Sequence, residues 1–248
     1  MKKFFYRYEQ SLRKEPQIWH PGYIIHRIIQ REIILFSKLI KKENNGSVLD
    51  FGCGKSPFRS YFSHYKGADI DTINKEPDYL IDPISNKIQG ITEGSIENMI
   101  SVEVIEHVPN LTAFMREASR VLKPGGLFLI VAPFVYNYHG DNDYARYSRN
   151  YFMQNPVFED FEIIRMNSAP NDFTEFMTYN LNHFLGIFPI IHFFYPLYFI
   201  TNCLGILLSK VIFLFFNIAS HISPKFTELY KNSFLLFPLQ ISVTLRKK

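Results

Sequence analysis

Cysteine and dense basic patches are both scarce in this sequence, and each shortage excludes a class of protein. Its 248 residues include two cysteines, Cys53 and Cys203, which cannot build a disulfide framework and do not form the CxxC pair of a zinc site. The formal net charge is +4, and the basic residues form no stripe interleaved with aromatics. We therefore expect no nucleic-acid partner.

The first residues lack an uninterrupted apolar run. The segment MKKFFYRYEQSLRKEPQ begins basic, but Arg7, Glu9 and Arg13 interrupt it before an apolar region can develop. A secretory signal peptide requires such a region, so the sequence predicts a chain that starts in the cytoplasm.

Hydrophobic residues make up 47% of the chain, which is ample for the core of one α/β domain with additions. Ahead of that core, residues 21–42 carry apolar side chains at helical spacing with basic residues between them, which predicts an amphipathic helix. The apolar positions are Ile24, Ile25, Ile28, Ile29, Ile33, Leu35, Phe36 and Leu39.

Three short motifs follow in a fixed order: VLDFGCG at 48–54, VEVIEHV at 102–108 and RVLKPGGLFLIVAP at 120–133. The first indicates a buried strand that runs into a glycine turn, where Gly52 and Gly54 let the backbone approach a ligand closely. The third indicates a helix end, a Pro-Gly-Gly turn and an apolar strand from Leu127 to Ala132. This order predicts a doubly wound α/β domain with its site at the carboxyl ends of the strands.

Together these residues resemble the class I S-adenosylmethionine-dependent methyltransferases, over roughly residues 46–170. The similarity is greatest to a bacterial group with a DxGCG, GxD, EVxEHV and RVLKPGG signature. It implies a Rossmann-like sheet with helices on both faces. We expect the N-terminal amphipathic helix and an apolar helical insertion before the last strand as additions to that fold.

The resemblance also implies roles in binding S-adenosylmethionine. The turn at Gly52, Cys53 and Gly54 would meet the amino-acid tail of the cofactor, and Asp50 would lie near its ammonium group. Asp69, in GADID at 67–71, would accept both ribose hydroxyls.

Three further residues complete the expected cofactor pocket. Ile70 would pack on the adenine, Asp82 would accept the adenine amino group after a short strand at Tyr79 to Ile81, and Glu103 would line the pocket. Asp82 is equally consistent with an ordinary loop acid. Cys53 fits a small packing residue better than a nucleophile, because no base pairs with it by motif.

A nicotinamide-dependent oxidoreductase is the rival with a similar glycine turn. That cofactor needs a third glycine for close packing of the helix, and Pro57 occupies the position here. The rival also leaves the second and third motifs unexplained.

The ExxEH string of Glu103, Glu106 and His107 raises the question of a metal. In some relatives with the same string these side chains hold a divalent cation, and carboxylate with imidazole is reasonable chemistry for one. A further ligand would be needed, so we favour the interpretation in which Glu106 and His107 organise a helix start and no metal binds. Glu97 stands where the family usually has an aspartate.

The segment PFVYNYHGDNDYARYS at 133–148 resembles the loop that covers the methyl-transfer site in the same group. His139, Asp143 and Arg146 are the candidate catalytic residues: His139 as a base for a weakly acidic hydroxyl, Arg146 as the partner of an anionic acceptor. The alternative is an internal salt bridge from Asp143 to Arg146, with His139 exposed.

The third part of the chain differs in kind, because residues 176–209 contain no Asp, Glu, Lys or Arg. The run is long enough for a bilayer span. However, PLQISVTLRKK at the C-terminus predicts a last strand that returns to the same sheet, which excludes a single crossing. We therefore expect the segment to lie along the membrane, to dip in as a hairpin broken at Pro189 and Pro196, or to cross twice. Buried helices over the sheet or at a dimer interface are the alternative.

These observations predict four parts: an N-terminal helical cap at 1–45, a cofactor-binding core at 46–170, an apolar helical segment at 171–234 and a final strand at 235–248. The function predicted is methyl transfer from S-adenosylmethionine to a small-molecule, sugar or lipid-linked acceptor at the cytoplasmic face of the inner membrane. A membrane-bound scaffold of the same fold without transfer activity is the second hypothesis. The acceptor atom and the oligomeric state stay open.

Overall fold

The structure is a computed structural model, and it describes residues 15–43, 46–70, 77–136, 140–169, 173–186, 195–222, 225 and 238–248. Seven strands form one sheet. Their bounds are β1 Ser47–Phe51, β2 His64–Asp69, β3 Tyr79–Leu80, β4 Ile96–Val102, β5 Leu122–Pro133, β6 Phe161–Ala169 and β7 Gln240–Lys247.

The strand order is β3-β2-β1-β4-β5-β7-β6. Strands β1 to β5 pair in parallel, with β1 between β2 and β4. Their carboxyl ends therefore meet at one edge of the sheet, and the order reverses between β1 and β4. The predicted doubly wound fold is confirmed, and so is the return of the C-terminal strand, because β7 lies between β5 and β6.

The strands at the centre of the sheet are buried, as the apolar runs predict. β1 and β4 end in continuous buried stretches, and β5 is buried from Gly126 to Pro133. A parallel sheet covered on its faces requires such runs. The Pro-Gly-Gly motif differs from the predicted turn: β5 already begins at Leu122, and its register against β4 jumps from Leu122 to Leu127.

Within the part of the chain that the structure describes, five α-helices connect or flank the strands. Their bounds are α1 Tyr23–Glu43, α2 Leu111–Val121, α3 Arg149–Gln154, α4 Phe173–Gly186 and α5 Tyr195–Ile222. Asn110 caps the start of helix α2, and its side chain accepts a hydrogen bond from the Ala113 amide. It packs on the sheet through Phe114, which stacks on Phe51 with ring centroids 4.0 Å apart.

Helix α1 confirms the predicted amphipathic helix. Its isoleucines at 24, 25, 28, 29, 33 and 40 are buried with Phe36, whereas Leu35 is exposed. One charged residue, Glu32, is also fully buried. Its carboxylate accepts hydrogen bonds from Arg165 (2.6 Å), Asn167 (2.9 Å) and Ser242 (3.0 Å), so the charge is compensated on three sides.

The chain divides into two compact units. One consists of residues 31–167 and 241–248 and contains most of the sheet; the other consists of residues 1–30 and 168–240 and contains α4 and α5. The boundaries predicted at 45, 170 and 234 fall outside the described residues and stay predictions.

In the second unit, α4 and α5 pack as an antiparallel pair. Asn182 donates to Asn202 (2.9 Å) and accepts from Thr201 (2.5 Å), while Gly205 lies so close to Thr178 that a Cβ there would collide with it. As the chain advances along α4, its partners on α5 move backwards, which defines the antiparallel arrangement. Among the described residues, one helix segment, Pro196–Ala219, is long and apolar enough to cross a membrane by length and composition.

Candidate functional site

The candidate site lies where β1, β2 and β4 end. These strands are neighbours in the sheet, so the residues after each of them gather at one edge. In open α/β sheets ligands usually bind where the strand order reverses, which here is between β1 and β4. Most of the residues predicted to bind the cofactor lie at the ends of these three strands, whereas Asp82 follows β3.

The turn after β1 depends on two glycines. Gly52 has φ +89° and Gly54 has φ +54°, in the left-handed region that favours glycine. A Cβ on Gly52 would lie 2.5 Å from a methyl carbon of Val104, which is too close for any other residue. The backbone can therefore turn tightly here, at the edge of the sheet.

Cys53, between the two glycines, is buried, and its side chain packs against β2. A Cβ on Gly67 would lie 2.7 Å from the Cys53 sulfur, so a small residue on each strand lets the turn sit close to β2. The amides of Gly52 and Cys53 both donate to the carbonyl oxygen of Ala68 (2.9 and 3.0 Å). These contacts agree with the interpretation of Cys53 as a packing residue.

Asp69, at the end of β2, is buried and joined to the glycine turn. Its Oδ2 accepts a hydrogen bond from the Gly54 amide at 2.8 Å. The contact fixes the carboxylate beside the turn. Ile70 follows it with 62% of its side chain exposed, so an apolar surface is available next to the carboxylate.

Asp50 is held by a residue that the motif analysis missed. The Tyr65 hydroxyl donates a 2.5 Å hydrogen bond to Asp50 Oδ2, and both side chains are buried. Burial raises the pKa of Tyr65, and the negative charge of Asp50 raises it further. The phenol therefore stays protonated and acts as a permanent donor. Tyr65 alternates with Gly67 on the buried face of β2, a pattern that marks an inward residue but not its partner.

Asp82 lies in an exposed loop and binds that loop. It accepts hydrogen bonds from the Ser85 amide (2.7 Å), the Ser85 hydroxyl (2.8 Å) and the Ile84 amide (3.1 Å). The bonds from Ser85 lower the pKa of Asp82, and the amide of Ile84 adds to them. The short strand predicted before it is present as β3, and Ile81 forms a single bridge to Ile88.

The turn after β4 contains a non-glycine residue in the left-handed region. Glu103 has φ +56°, and its amide donates to Val131 at 2.9 Å. Such a conformation costs about 1–3 kcal/mol and persists where the surroundings enforce it, often at functional sites. Glu106, three residues later, is fully buried in a 3₁₀ helix over Ile105–His107.

Residues 142–147 of the loop that follows β5 form hydrogen bonds to this acidic turn. The Tyr144 amide donates to the Glu106 carbonyl (2.8 Å), and Tyr147 donates to the Ile105 carbonyl (3.3 Å). His107 Nδ1 lies 2.8 Å from the Asn142 carbonyl oxygen. These contacts place the loop beside the ends of β4 and β5.

Asp143 and Arg146 form a two-pronged salt bridge within that loop. Arg146 Nη2 donates to Asp143 Oδ2 at 2.7 Å, and Nη1 contacts Oδ1. The hydrogen bond to Asp143 raises the pKa of Arg146, and the charges of Glu106 and Glu103 also raise it, against the opposing effect of burial. The internal salt bridge considered from the sequence is therefore present, and the field of the guanidinium extends to the acidic turn.

His139 falls outside the described residues. Among the residues that the structure describes, no group of three or more His, Cys, Asp or Glu side chains could hold a metal ion. His107 Nε2 lies 3.6 Å from Glu106, so this pair of the ExxEH string is close together. Glu97 is the residue that departs from the family pattern. Its carboxylate lies 3.3 Å from the Lys123 ammonium, and this contact is not at the carboxyl ends of the strands.

The fold and the strand-end site define a class I methyltransferase architecture. The sequence profile of a family described as "Methyltransferase domain" matches residues 23–171, which is more than half of the chain. The chain therefore belongs to the methyltransferase-domain family, and the family predicted from the motifs is confirmed.

One curated relative is the sterol 24-C-methyltransferase of Pneumocystis carinii (strain B80), 31% identical over 39% of this chain and 30% of that protein. The chain thus spans about a third of the length of that relative. Among solved structures, a geranyl diphosphate methyltransferase in complex with GPP and sinefungin superposes with a TM-score of 0.53 at 10% identity, over 90% of this chain and 80% of that one. The cyclase SpnF superposes with a TM-score of 0.51 at 13% identity, over 88% and 82%. At these identities the structures show a shared fold, and the presence of a cyclase among them illustrates that the fold alone does not fix the reaction.

Proposed function

We propose that this protein transfers a methyl group from S-adenosylmethionine to a small-molecule acceptor. The observation that carries the proposal is the joined pair of the Gly54 amide and the Asp69 carboxylate at the carboxyl edge of the sheet. A family with methyltransferase activity and a relative that methylates sterols support it.

The residues at the strand ends fit the cofactor. The tight turn at Gly52 leaves no room for a side chain, so its backbone can approach the amino-acid tail. In this proposal Asp69 accepts the ribose hydroxyls and Ile70 packs on the adenine. Asp50, which Tyr65 orients by a hydrogen bond, offers a negative charge to the ammonium group. When bound, S-adenosylmethionine supplies an electrophilic methyl group on a sulfonium.

Asp82 and Glu103 have weaker support as cofactor ligands. Asp82 already accepts three hydrogen bonds from its own loop, so we propose that it shapes the loop beside the adenine. Glu103 is held in a strained turn at the end of β4, where it adds negative charge near a cationic sulfonium. That charge favours binding of the positively charged donor over the neutral product.

The 140–148 loop is proposed to hold the acceptor. Methyl transfer is a single displacement with a good leaving group, so holding the acceptor in line supplies most of the acceleration. Arg146, kept charged and oriented by Asp143, is suited to an anionic group on the acceptor, and His139 to removing a proton from a hydroxyl.

We propose an apolar or lipid-linked acceptor and a cytoplasmic site at the inner membrane surface. The support comes from helix α5. Only 11% of the most apolar stretch within Pro196–Ala219 is buried, whereas the core helix of a soluble domain is mostly buried. An apolar acceptor dissolved in the bilayer would then be close to the enzyme. The sterol named for one similar protein is apolar, and the geranyl diphosphate named for another joins an apolar chain to an anionic group.

Calorimetric titration with S-adenosylmethionine, followed by a methyl-release assay with prenyl and sterol acceptors, tests the proposal. Asp69→Asn should weaken binding by at least tenfold, because a neutral amide is a poorer acceptor for two hydroxyls. Asp78→Asn is the matched control: Asp78 also accepts a backbone amide, that of Gly67 at 2.8 Å, and binds Lys66 on the surface. Equal losses in the two variants would contradict the assignment, and binding without turnover on any acceptor would favour the inactive scaffold.

A further inference from the structure

Helix α5 carries a continuous exposed apolar stripe along one side. At about 100° per residue, its members fall within an arc of roughly 120°. They are Ile200, Leu204, Leu207, Leu208, Val211, Leu214, Phe215 and Ile218. A different side of α5 faces α4, through Thr201, Asn202 and Gly205.

Helix α4 carries a second exposed stripe, formed by Met177, Leu181 and Phe184. Viewed from its own N-terminus, this stripe is rotated by about 120° from the side of α4 that faces α5. On α5 the stripe is rotated by about the same angle and in the same sense from the side that faces α4. Because the two helices are antiparallel, equal rotations place both stripes on one side of the pair.

The other side of the pair has a different character. Asn202 points there and donates to the carbonyl oxygens of Ile18 (2.7 Å) and His20 (3.1 Å), so the N-terminal segment covers part of it. Lys210 is exposed on that side as well. Two exposed aromatics, Phe199 and Phe213, accompany it.

Topology and length together argue against a crossing of the bilayer by this pair. β6 and β7 belong to one sheet, so a crossing by α5 would need a second crossing in the opposite direction, for which the antiparallel α4 is the candidate among the described helices. Helix α4, with 14 residues, is about 21 Å long, which is less than the roughly 30 Å of a hydrocarbon core. A crossing by α5 would also carry Lys210 into the hydrocarbon, where a charge is costly.

We infer that α4 and α5 lie in the plane of one membrane leaflet, with their shared apolar face in the acyl region and Lys210 at the headgroups. The inference rests on the membrane part of the proposed function and names how that surface is engaged. Charge complementarity favours lipid as the occupant: between Glu175 and Glu228 the only charged residues are Lys210 and Lys225, which suits anionic headgroups.

Two neighbouring residues on α5 provide a matched test. Val211 lies at the centre of the apolar face and Phe213 lies on the Lys210 side, and both are 55% exposed. Val211→Asn should reduce the fraction of full-length protein that floats with phosphatidylcholine–phosphatidylglycerol vesicles by about tenfold, whereas Phe213→Asn should change it by less than about twofold. The two positions lie within one turn of the helix, and valine and phenylalanine have similar helix propensities, so replacement by asparagine costs the helix about the same at each.

Depth measurements give a second readout. In a Trp19→Phe background, tryptophan placed singly at Ile200, Leu207, Ile218 and Leu181 should be quenched to one common depth by brominated lipids. Shallow ends with a deep centre along α5 would mean a crossing and would overturn the inference. Equal loss of flotation in Val211→Asn and Phe213→Asn would overturn it too.

A second copy of the chain is the other possible occupant. A lipid-free dimer that is broken by Val211→Asn and does not float with vesicles would overturn the inference in favour of that occupant. Titration of the same samples with S-adenosylmethionine keeps the two proposals separate. Flotation without cofactor binding would contradict the enzymatic proposal alone, and binding without flotation would contradict this one alone.

Discussion

The sheet of this protein and its α4–α5 pair handle apolar residues in opposite ways. In the sheet the apolar strands are buried on both faces, and the polar residues Asp50, Asp69 and Glu103 gather at one edge. In the helix pair the polar residues Asn182 and Asn202 are buried between the helices, and the apolar ones point outwards. The fold itself thus buries the apolar residues of the strands, whereas it leaves many of those on the pair exposed.

The largest expected effect concerns the turn at the edge of the sheet. Gly52→Ala should destabilise the fold by about 3 kcal/mol or more and abolish detectable cofactor binding, because it combines an unfavourable φ with a clash against Val104. Gly125→Ala is the control: its φ is +79°, but a Cβ there meets nothing within 4 Å. Thermal unfolding and calorimetry measure both; equal effects would show that backbone strain alone matters and that the close approach does not.

The second prediction reverses the polarity of the helix pair. Asn202→Leu removes the acceptor of the Asn182 side-chain amide and the donor to the carbonyls of Ile18 and His20, and should destabilise the second unit by about 2 kcal/mol. The exposed Asn217→Leu should have little effect. Hydrogen exchange of α4 and α5 amides in lipid measures the loss, and unchanged protection in Asn202→Leu would contradict a structural role for the buried amides.

The third prediction returns to the edge of the sheet. Tyr65→Phe removes the donor to Asp50 and should weaken S-adenosylmethionine binding by about tenfold with a loss of stability of about 1 kcal/mol. Tyr61→Phe, outside the buried pair, is a suitable comparison. Calorimetry at neutral pH gives the affinities, and an unaltered affinity in Tyr65→Phe would mean that Asp50 is positioned without the phenol.

The smallest effect separates the two regions by pH. Burial lowers the pKa of His20 from 6.5 to about 4, and its neutral Nδ1 accepts the Gly22 amide at 3.0 Å. The pKa of His20 is lower in the folded chain than in the unfolded chain. Its contribution to the free energy of unfolding is therefore complete above pH 6.5 and should be lost as the pH falls from 6.5 towards 4. Fluorescence of Trp19, the single tryptophan, should report this change, and His20→Asn should remove it.

The sheet should respond only at lower pH. Burial raises the pKa of Glu32, but the hydrogen bonds from Arg165 and Asn167 and the charges of Arg165 and Arg31 outweigh it, so the net shift is downwards. Its contribution is therefore present above the ordinary carboxyl pKa and lost below it, under about pH 4.5. Urea unfolding at several pH values should show this loss in the wild type and not in Glu32→Gln. A single transition common to His20→Asn and Glu32→Gln would mean that the two regions do not unfold separately.

Much of the sheet and of the site could be predicted from the sequence. The glycine turn, Asp69 at the end of β2 and the late strand at 161–169 carry local signals, because their backbone geometry is encoded within a few residues. The partners of those residues carry none. Tyr65 on β2 donates to Asp50 on the neighbouring β1, and Glu32 binds Arg165, which is 133 residues further along the chain. Only the folded chain brings these partners together.

By itself the sequence determined the order of strands and turns, the family and the presence of an apolar segment too long to ignore. Hydrophobic periodicity and glycine spacing act over a few residues, and they are readable in one dimension. The tertiary structure alone decided that the apolar residues of α4 and α5 share one side, that Asn202 faces inwards and that Arg146 is engaged by Asp143. Those facts depend on how helices and loops are rotated against each other, which packing sets and local sequence does not.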